Sequence, residues 1–302
     1  MLTYAPISEA YENKSMKMDG RASLSRSRPE FYLPILPMRL PDLDGTLLRD
    51  DKTISASTEQ ALEACRRNGM LIGIATSRSE QNSLEILSGL QPDILIASGG
   101  ALVKIFGEYC YKAEFSAGET QSIIKTIREI CGTHCEITAD TLEHHYWNYK
   151  ADPSKKDSSW GESIYTNFSD FNQSTLKICA EIFDLQEAEH LKRRLTDCDC
   201  IRFSDGFWYK FTRKGITKET AIWRVCGACG ILPEEITAFG DDLADIGMLR
   251  LCGMGIAMGN AAPEVKAAAD LVIGTNEEDG IAEYLKSLFF NTAVKTMYHV
   301  SE

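Results

Sequence analysis

The sequence predicts an α/β fold: a core with a parallel β-sheet, interrupted by an inserted α+β unit. Two short segments, Leu71–Ala75 and Ile94–Ala97, are apolar throughout, which is typical of strands buried inside a parallel sheet. Segments with apolar residues at helical spacing separate such strands, as alternating strands and helices require. Between residues 113 and about 211 the pattern changes to alternating polar and aromatic residues, which indicates a separate insert with an open antiparallel sheet.

The first two helices of the core are predicted from capping signals and apolar spacing. The tetrapeptide Ser57–Gln60 is typical of a capping box, which predicts the start of the first helix, and Gly69 predicts its end. The expected buried face of this helix is Ala61, Leu62 and Cys65. The expected buried face of the second helix is Leu84, Leu87 and Leu90.

The insert is predicted to contain two helices and at least three strands. The helices are expected at Glu119–Cys131 and Leu185–Leu195, and the strands at Leu176–Phe183, around Ile201 and at Phe207–Phe211. Because these strands have one polar face, we expect the helices to cover the other face only.

After the insert, the alternation of strands and helices resumes. The expected elements are a helix over 216–229, a strand at Ile236–Phe239, a helix ending at Leu251, a strand at Gly253–Met258, a helix from Pro263 and a strand at Leu271–Ile273. The core is therefore expected to be discontinuous in sequence, formed by residues 31–112 and 213–290 around an insert at 113–212. Residues 1–30, polar and without periodicity, are expected to be a disordered extension, and residues 291–302 a C-terminal tail.

Composition and charge exclude several classes of protein. The 302 residues include 44 acidic and 32 basic ones, a net charge of −12, which disfavours binding to a phosphate backbone. No apolar run approaches the ~20 residues that span a bilayer, and the first residues contain no secretory signal. The 10 cysteines without an export signal indicate reduced thiols and a cytoplasmic location.

The strongest functional signal is the segment Asp42–Leu48, Asp-Leu-Asp-Gly-Thr-Leu-Leu, at the end of the expected first strand. Open α/β sheets place their sites at such strand ends. Asp42 and Asp44 can converge on one centre if Gly45 allows a sharp turn after them. One carboxylate can attack a phosphoryl group and a second can protonate the leaving oxygen. The alternative is a solvated Asp-Gly turn.

A second acidic segment, Gly240-Asp241-Asp242-Leu243-Ala244-Asp245, directly follows strand Ile236–Phe239. Three carboxylates at the end of a buried strand repel one another unless a cation compensates their charge. Mg²⁺ is the expected cation, since it prefers oxygen ligands from a few carboxylates together with substrate phosphate. The alternative for one or two of these three residues is an acidic helix start, which the helix dipole favours.

Two weaker signals supply groups that could bind phosphate. Thr76 and Ser77 follow strand Leu71–Ala75, where a hydroxyl and a backbone N–H can hold a phosphoryl oxygen. Lys218 could supply the positive charge that an acidic chain needs at an anion site. Taken alone, Thr76 at the end of a strand is typical of a capping residue, and Lys218 in the first turn of a helix is typical of a solvated lysine.

These segments together, in this order and each beside a strand end, resemble the haloacid dehalogenase (HAD) superfamily. Within it the chain resembles the Cof-type hydrolases, which carry a type IIB α/β cap. The resemblance covers about residues 36–288 and includes the position of the insert. It also includes the runs Gly255–Ala261, Lys266–Asp270 and Asp279–Ala282.

The resemblance implies a role for each residue. Asp42 would be the nucleophile and a metal ligand, and Asp44 the general acid and base with its backbone carbonyl on the metal. Thr76, Ser77 and Lys218 would bind the phosphoryl group. Asp241 would bind Mg²⁺, and Asp245 would support the metal or orient Lys218.

The chain departs from the family pattern at two positions. Ala244 stands where the family commonly has an asparagine that touches phosphate, and Pro41 stands where a strand aromatic usually precedes the nucleophile. Proline is rare in a central strand because it removes a ladder donor, so the register of the first strand is an open question.

The expected function is that of a Mg²⁺-dependent phosphatase acting on small phosphomonoesters, such as sugar phosphates or phosphorylated cofactors, through an aspartyl-phosphate. A phosphomutase and a catalytically weak phosphate-binding protein are the alternatives. His144 and His145, with Tyr146 and Trp147, are either a specificity element or part of the packing of the insert. The sequence indicates neither the physiological substrate nor the oligomeric state.

Overall fold

The computed structural model describes residues 37–87, 89–148, 162–204 and 206–298, with 290–298 as backbone only. The expected disordered extension, residues 1–30, lies outside these described residues. The strands are β1 (Met38–Pro41), β2 (Leu71–Ala75), β3 (Ile94–Ala97), β4 (Leu102–Ile105), β5 (Glu108–Lys112), β6 (Ile137–Asp140), β7 (His145–Trp147), β8 (Ile164–Tyr165), β9 (Lys177–Glu181), β10 (Cys198–Arg202), β11 (Trp208–Arg213), β12 (Ile236–Gly240), β13 (Met254–Ala257) and β14 (Leu271–Val272). The α-helices are α1 (Ala56–Arg67), α2 (Glu80–Leu87), α3 (Ala117–Cys131), α4 (Leu185–Arg194), α5 (Lys218–Cys229), α6 (Ile246–Leu251), α7 (Pro263–Ala268) and α8 (Gly280–Tyr298).

The larger sheet has eight strands in the order β14-β13-β12-β1-β2-β3-β4-β5. The six strands from β14 to β3 are parallel, and the β4–β5 hairpin adds two antiparallel strands at one edge. The predicted α/β class with a parallel sheet is confirmed. β1 is central, and the chain continues to β2 on one side and returns through β12 on the other, so a topological switch point lies beside β1.

Helices cover both faces of this sheet. One apolar cluster joins the sheet to α1 and α8 through residues such as Leu62, Ile72 and Leu285. A second cluster joins the opposite face to α5, α6 and α7 through residues such as Ile222 and Met248. The central strands are buried on both sides, which explains why they are apolar throughout.

A second sheet of six strands has the order β10-β11-β9-β6-β7-β8 and is antiparallel except for the β7–β8 pair. We call the part of the chain that forms this sheet and its helices α3 and α4 the cap. The apolar side chains of its strands pack on α3 and α4, as Ile178 packs near Ile127 and Leu191. The alternate residues form what we call the polar face of the cap, which includes Asp140, His145, Lys177, Lys210 and Thr212.

Two local predictions for the first helices are wrong. The N-cap of α1 is Ser55, whose side chain accepts a hydrogen bond from the N–H of Thr58, because Ser55 is the last extended residue and Ser57 already lies inside the helix. In α2, Leu84 is 44% exposed, whereas Ser83 is buried. Polar residues occupy the start of the inner face of α2, where the carboxylate of Glu80 accepts hydrogen bonds from Lys104 and Tyr109. Leu87, at the end of the helix, is buried in the apolar core as expected.

Pro41 is accommodated at the end of β1. It pairs with Phe239 of β12, whereas the pairing of β1 with β2 is made at Met38 and Arg39. Pro41 therefore lies beyond the β2 ladder, where no N–H donor is required. Asp42 then donates its N–H to the carbonyl of Phe239 at 2.9 Å, so the register of β1 is regular up to the acidic segment.

The last helix extends further than expected. α8 runs to Tyr298, past the boundary expected at residue 290 between core and tail. The sequence after Gly280 contains no glycine or proline up to this point, so nothing in the local sequence ends the helix earlier.

Candidate active site

The first acidic segment and the second follow adjacent parallel strands. Asp42 comes directly after β1 and Asp241 directly after β12, and these strands are paired through Pro41 and Phe239. Because the carboxyl ends of parallel strands lie at one edge of the sheet, Asp42 and Asp241 become neighbours although they are far apart in sequence. Thr76 follows β2 on the other side of β1.

Gly45 allows the loop after Asp42 to turn across Asp241. Its φ is +68°, and a Cβ at this position would overlap the carboxylate of Asp241. The next residue, Thr46, donates its hydroxyl hydrogen to Asp241 Oδ1 at 2.7 Å. The Asp-Gly-Thr segment therefore packs directly onto the second acidic segment.

Lys218 links the two acidic segments. The side chain is 2% exposed, and its Nζ lies 2.7 Å from Asp42 Oδ1 and 2.5 Å from Asp245 Oδ1. It is the first residue of α5, whose N-cap is Thr217. Burial acts to lower the pKa of Lys218, but the charges of Asp245 and Asp42 outweigh burial and raise the pKa above its ordinary value. Lys218 is therefore a fixed positive charge beside Asp42.

Asp245 organises the second acidic segment. It is fully buried, and its Oδ2 accepts hydrogen bonds from the backbone N–H groups of Asp241 and Asp242, each at 3.1 Å. Since its Oδ1 accepts from Lys218, both oxygens are engaged by the protein. Asp245 thus holds the loop of Asp241 and the ammonium of Lys218 in one arrangement.

Three carboxylates form a group that could hold a metal ion. Oxygens of Asp42, Asp241 and Asp245 lie within 4.8 Å of one another. Burial is the main cause that raises the pKa of Asp42 to about 7, with Asp245 adding to it against the opposing charge of Lys218. Burial, followed by the charges of Asp245 and Asp42, raises the pKa of Asp241 to about 8. One lysine does not balance these carboxylates, and an all-oxygen donor set suits a hard cation.

The carboxylate of Asp44 lies in a basic environment. Its carboxylate accepts two hydrogen bonds from Arg78, from Nε at 2.6 Å and Nη2 at 2.7 Å, and one from Lys52 Nζ at 2.9 Å. Burial acts to raise the pKa of Asp44, but the hydrogen bonds and charges of Arg78 and Lys52 outweigh it and lower the pKa below its ordinary value. Neither basic residue was predicted from the sequence as part of the site. Arg78 could have been found from its place two residues after Thr76, whereas Lys52 carried no signal.

Thr76 is held rigidly at the end of β2. It is 1% exposed; its N–H donates to the carbonyl of Ile96 and its Oγ1 accepts from the N–H of Arg78 at 3.0 Å. Among the described residues, no acceptor receives the hydroxyl hydrogen of Thr76. The carbonyl of the next residue, Ser77, accepts from Lys177 of the cap at 2.5 Å.

The polar face of the cap contacts the loops of the core. Asp140 of β6 is fully buried and accepts hydrogen bonds from Ser98, which follows β3. Its carboxylate also lies 3.0 Å from Lys177 Nζ and 2.6 Å from His145 Nδ1. Burial acts to raise the pKa of Asp140, but Lys177 and His145 outweigh it and lower the pKa to about 2. A buried ionic cluster therefore joins the cap to the loop that contains Ser77.

The residues of the His144–Trp147 segment have different surroundings. Tyr146 packs against Phe171 within the apolar interior of the cap. His144 and His145 instead line an open cleft of about 320 Å³, together with residues of α2 such as Gln81. Packing thus accounts for Tyr146, and the specificity hypothesis stays a prediction for the two histidines.

Comparison with known proteins assigns the chain to a family. Residues 40–285 match the family model of haloacid dehalogenase-like hydrolases, which covers most of the chain, and the chain belongs to this family. The fold and the relatives further identify it as a phosphoric monoester hydrolase. The resemblance found in the sequence is confirmed.

Several similar proteins are phosphatases that match over nearly their whole length. The 5-amino-6-(5-phospho-D-ribitylamino)uracil phosphatase YitU of Bacillus subtilis (strain 168) is 25% identical over 260 residues, which cover 82% of this chain and 96% of the relative. The pyridoxal phosphate phosphatase YbhA of Escherichia coli (strain K12) is 26% identical, with coverages of 82% and 96%. A solved HAD subclass IIB sugar phosphatase is 27% identical with a TM-score of 0.72, covering 83% of this chain and 98% of its own.

Proposed function

We propose that this phosphatase is Mg²⁺-dependent and acts through a phosphorylated Asp42. The observation that carries the proposal is the ion pair between Asp42 and Lys218, buried beside Asp241 and Asp245. It places a carboxylate oxygen next to a fixed cation and next to carboxylates that need a further cation. Phosphoryl transfer requires this combination of a positioned nucleophile and neutralised charge.

The proposed metal ligands are Asp42, Asp241 and the backbone carbonyl of Asp44, with Asp245 in support. Bound Mg²⁺ would neutralise the carboxylates and the charge of the phosphoryl group. The raised pKa values of Asp42 and Asp241 support this role, because a cation would favour the charged form that burial disfavours. The donors are all oxygens, which fits Mg²⁺.

In the proposed first step, an oxygen of Asp42 forms a bond to phosphorus while the bond to the alcohol oxygen breaks. Asp44 gives its proton to that oxygen. Water then attacks the phosphorus of the acyl phosphate, gives a proton to Asp44, and releases phosphate with a free Asp42 carboxylate. Arg78 and Lys52 favour the ionised form of Asp44, which is the form required for the second step. A dianionic phosphoryl group nearby would raise the pKa of Asp44 and favour the protonated form for the first.

The proposed phosphoryl ligands are the hydroxyl of Thr76, the N–H of Ser77 and the ammonium of Lys218. Thr76 supports this role because its hydroxyl hydrogen has no acceptor among the described residues and its Oγ1 position is set by Arg78 N–H. Lys218 already lies 2.7 Å from Asp42. Together these donors surround the space in front of the proposed nucleophile.

The proposed substrates are small phosphomonoesters such as sugar phosphates or phosphorylated cofactors. The relatives' named substrates support this class, since they include a phosphoribityl compound and pyridoxal phosphate. No nucleic acid is proposed as a partner, because the net charge is −12.

We also propose a cytoplasmic location. The supporting observation is that all 10 cysteines are free thiols. Within the described part of the chain, no helix is long and apolar enough to span a bilayer.

A panel of phosphorylated metabolites, assayed with Mg²⁺ and with a chelator, tests the proposal. We expect steady release of phosphate that stops with the chelator. Asp42→Asn is expected to abolish turnover because an amide cannot form the acyl phosphate, while the melting temperature shows a folded protein. Asp170→Asn, at an exposed position of the cap, is the matched control. Turnover of Asp42→Asn within tenfold of wild type would exclude Asp42 as the nucleophile.

A further inference from the structure

Lys210 is a buried lysine that the mechanism above does not use. It lies in β11 on the polar face of the cap and is 1% exposed. Every other lysine of the polar face or the acidic segments has a carboxylate partner: Lys177 has Asp140, and Lys218 has Asp42 and Asp245. Within the part of the chain that the structure describes, no carboxylate pairs with the ammonium of Lys210 and no acceptor receives a hydrogen bond from it.

Gly99 makes the room that Lys210 occupies. A Cβ built on Gly99 would lie 2.7 Å from Lys210 Nζ and 2.9 Å from its Cδ, so any side chain at position 99 would displace the end of the lysine. Gly99 also donates its N–H to the carbonyl of Thr76 at 3.0 Å. The ammonium of Lys210 is therefore held against the segment that positions the proposed phosphate-binding hydroxyl.

The two strongest charges acting on Lys210 are of its own sign, those of Lys218 and Lys177, and the charge of Asp245 opposes them more weakly. Burial is the main cause that lowers the pKa of Lys210 to about 8, and Lys218 and Lys177 are the next causes. A buried ammonium without a counter-ion destabilises the folded protein. An anion bound near Lys218 would remove this penalty, because it would supply the missing opposite charge.

We propose that Lys210 is a substrate-binding residue, whose ammonium contacts the phosphoryl group held by Thr76 and Lys218. The cap then contributes a cation to the anion site of the core, and Gly99 is the residue that admits it. This inference rests on the proposed position of the phosphoryl group. It extends to inorganic phosphate, the product, which presents the same oxygens.

The first test is the affinity of Lys210→Met for inorganic phosphate, measured by calorimetry in the presence of Mg²⁺. A hydrogen bond to a charged group accounts for tenfold or more in affinity, so we expect the Kd to rise by about that factor. Lys210→Arg should retain most of the affinity. In turnover assays KM should rise with little change in kcat, as for a group that binds ground state and transition state alike. Lys125→Met, at an exposed position of α3, is the control.

The second test moves the ammonium without removing it. Gly99→Ala should push the end of Lys210 away and weaken phosphate binding. Gly107→Ala is the matched control, because Gly107 also has a positive φ, +84° against +69° for Gly99, but a Cβ there meets no atom within 4 Å. The two variants share the backbone strain and differ in the contact with Lys210.

The outcomes separate this inference from the proposed function. If Lys210→Met binds phosphate as tightly as wild type, or if it loses kcat and melting temperature with its phosphate affinity unchanged, Lys210 is not a substrate-binding residue. A melting temperature at or above that of wild type, together with weaker phosphate binding, supports the proposal because a buried unpaired charge has been removed. A wild-type protein that binds phosphate but does not hydrolyse phosphomonoesters would contradict the proposed function alone.

Discussion

Asp42 and Asp44 are two residues apart, yet their surroundings shift their pKa values in opposite directions. Burial raises the pKa of Asp42 to about 7 despite Lys218, whereas Arg78 and Lys52 overcome burial and lower that of Asp44. Only the fully buried Leu43 lies between them in sequence. Two carboxylates with different environments are suited to different tasks in one reaction.

Asp44→Asn is expected to slow substrates with poor leaving groups more than those with good ones. An alkoxide leaving group needs the proton of Asp44, whereas a nitrophenolate hardly needs it. The measurement is kcat/KM for a sugar phosphate and for nitrophenyl phosphate with both proteins. Equal losses on the two substrates would contradict the role of Asp44 as general acid.

Ala244→Asn is expected to increase activity. Ala244 is partly exposed in the turn after Asp241, and its N–H donates to Asp242 Oδ1, so the backbone of this position is already ordered. An asparagine that donates to a phosphoryl oxygen would contribute about 1.5–3 kcal/mol. At 1.36 kcal/mol per factor of ten, the loss of this hydrogen bond lowers kcat/KM by roughly 10- to 150-fold.

The measurement for Ala244→Asn is kcat/KM for several phosphomonoesters at saturating Mg²⁺. We expect a rise of about tenfold or more, with the dependence on Mg²⁺ concentration unchanged. A variant no faster than wild type on any of them would show that another donor occupies this position or that the alignment of the acidic segment is wrong.

At the scale of the element, the start of α1 differs from its sequence prediction. Ser55, rather than Ser57, caps the helix through the N–H of Thr58. Ser57 lies in the first turn, where its Oγ accepts from Lys286 of α8. The sequence contains serines at both positions, and only the direction of the incoming chain decides which one caps.

Ser55→Ala is therefore expected to destabilise the protein by about 1 kcal/mol, the usual effect of losing an N-cap. Ser57→Ala should have a smaller effect, because it removes only a contact at the surface. Chemical denaturation of both variants measures the difference. If Ser57→Ala lost more stability than Ser55→Ala, Ser57 would be the N-cap of α1, as predicted from the sequence.

At the scale of the whole molecule, the acidic site makes stability depend on pH and on metal. The pKa values of Asp42 and Asp241 are raised from 3.8 to about 7 and about 8. Between pH 4 and pH 8 the folded protein therefore holds more protons than the unfolded chain at these two groups. The contribution of these two carboxyl groups to the free energy of unfolding, in the absence of metal, therefore falls as the pH rises from 4 to 8.

Mg²⁺ is expected to raise the melting temperature more at pH 8 than at pH 5.5, because it binds the ionised carboxylates of the folded state. Thermal unfolding with Mg²⁺ and with a chelator at both pH values measures the effect. Asp241→Asn should lose the shift caused by Mg²⁺ and, without metal at pH 8, should melt above wild type. An equal shift at both pH values, or a full shift in Asp241→Asn, would contradict the proposed metal site.

Local patterns in the sequence predicted the order of the parallel strands, the helices between them and the place of the acidic segments, but not the β4–β5 hairpin, strands β6 to β8 or helix α8. These features follow from local patterns, since burial on both faces makes a strand apolar and parallel strands bring Asp42 and Asp241 to one edge. β2 and β3 were predicted to the residue, as Leu71–Ala75 and Ile94–Ala97. Pro41, which left the register of β1 open, lies beyond the residues of β1 that pair with β2, where no backbone N–H is needed for a hydrogen bond.

Only the tertiary structure decided which distant side chains meet. Arg78 reaches Asp44 across 34 residues, and Lys210 of the cap reaches Gly99 of the core. Leu84 is exposed, whereas Leu87 of the same predicted face is buried. The start of the inner face of α2 contacts polar groups such as Lys104, which the periodicity of the helix does not reveal. Local periodicity indicates which face of an element is buried, but the partner of a buried charge depends on how the cap and core pack together, because charges interact through space rather than along the chain.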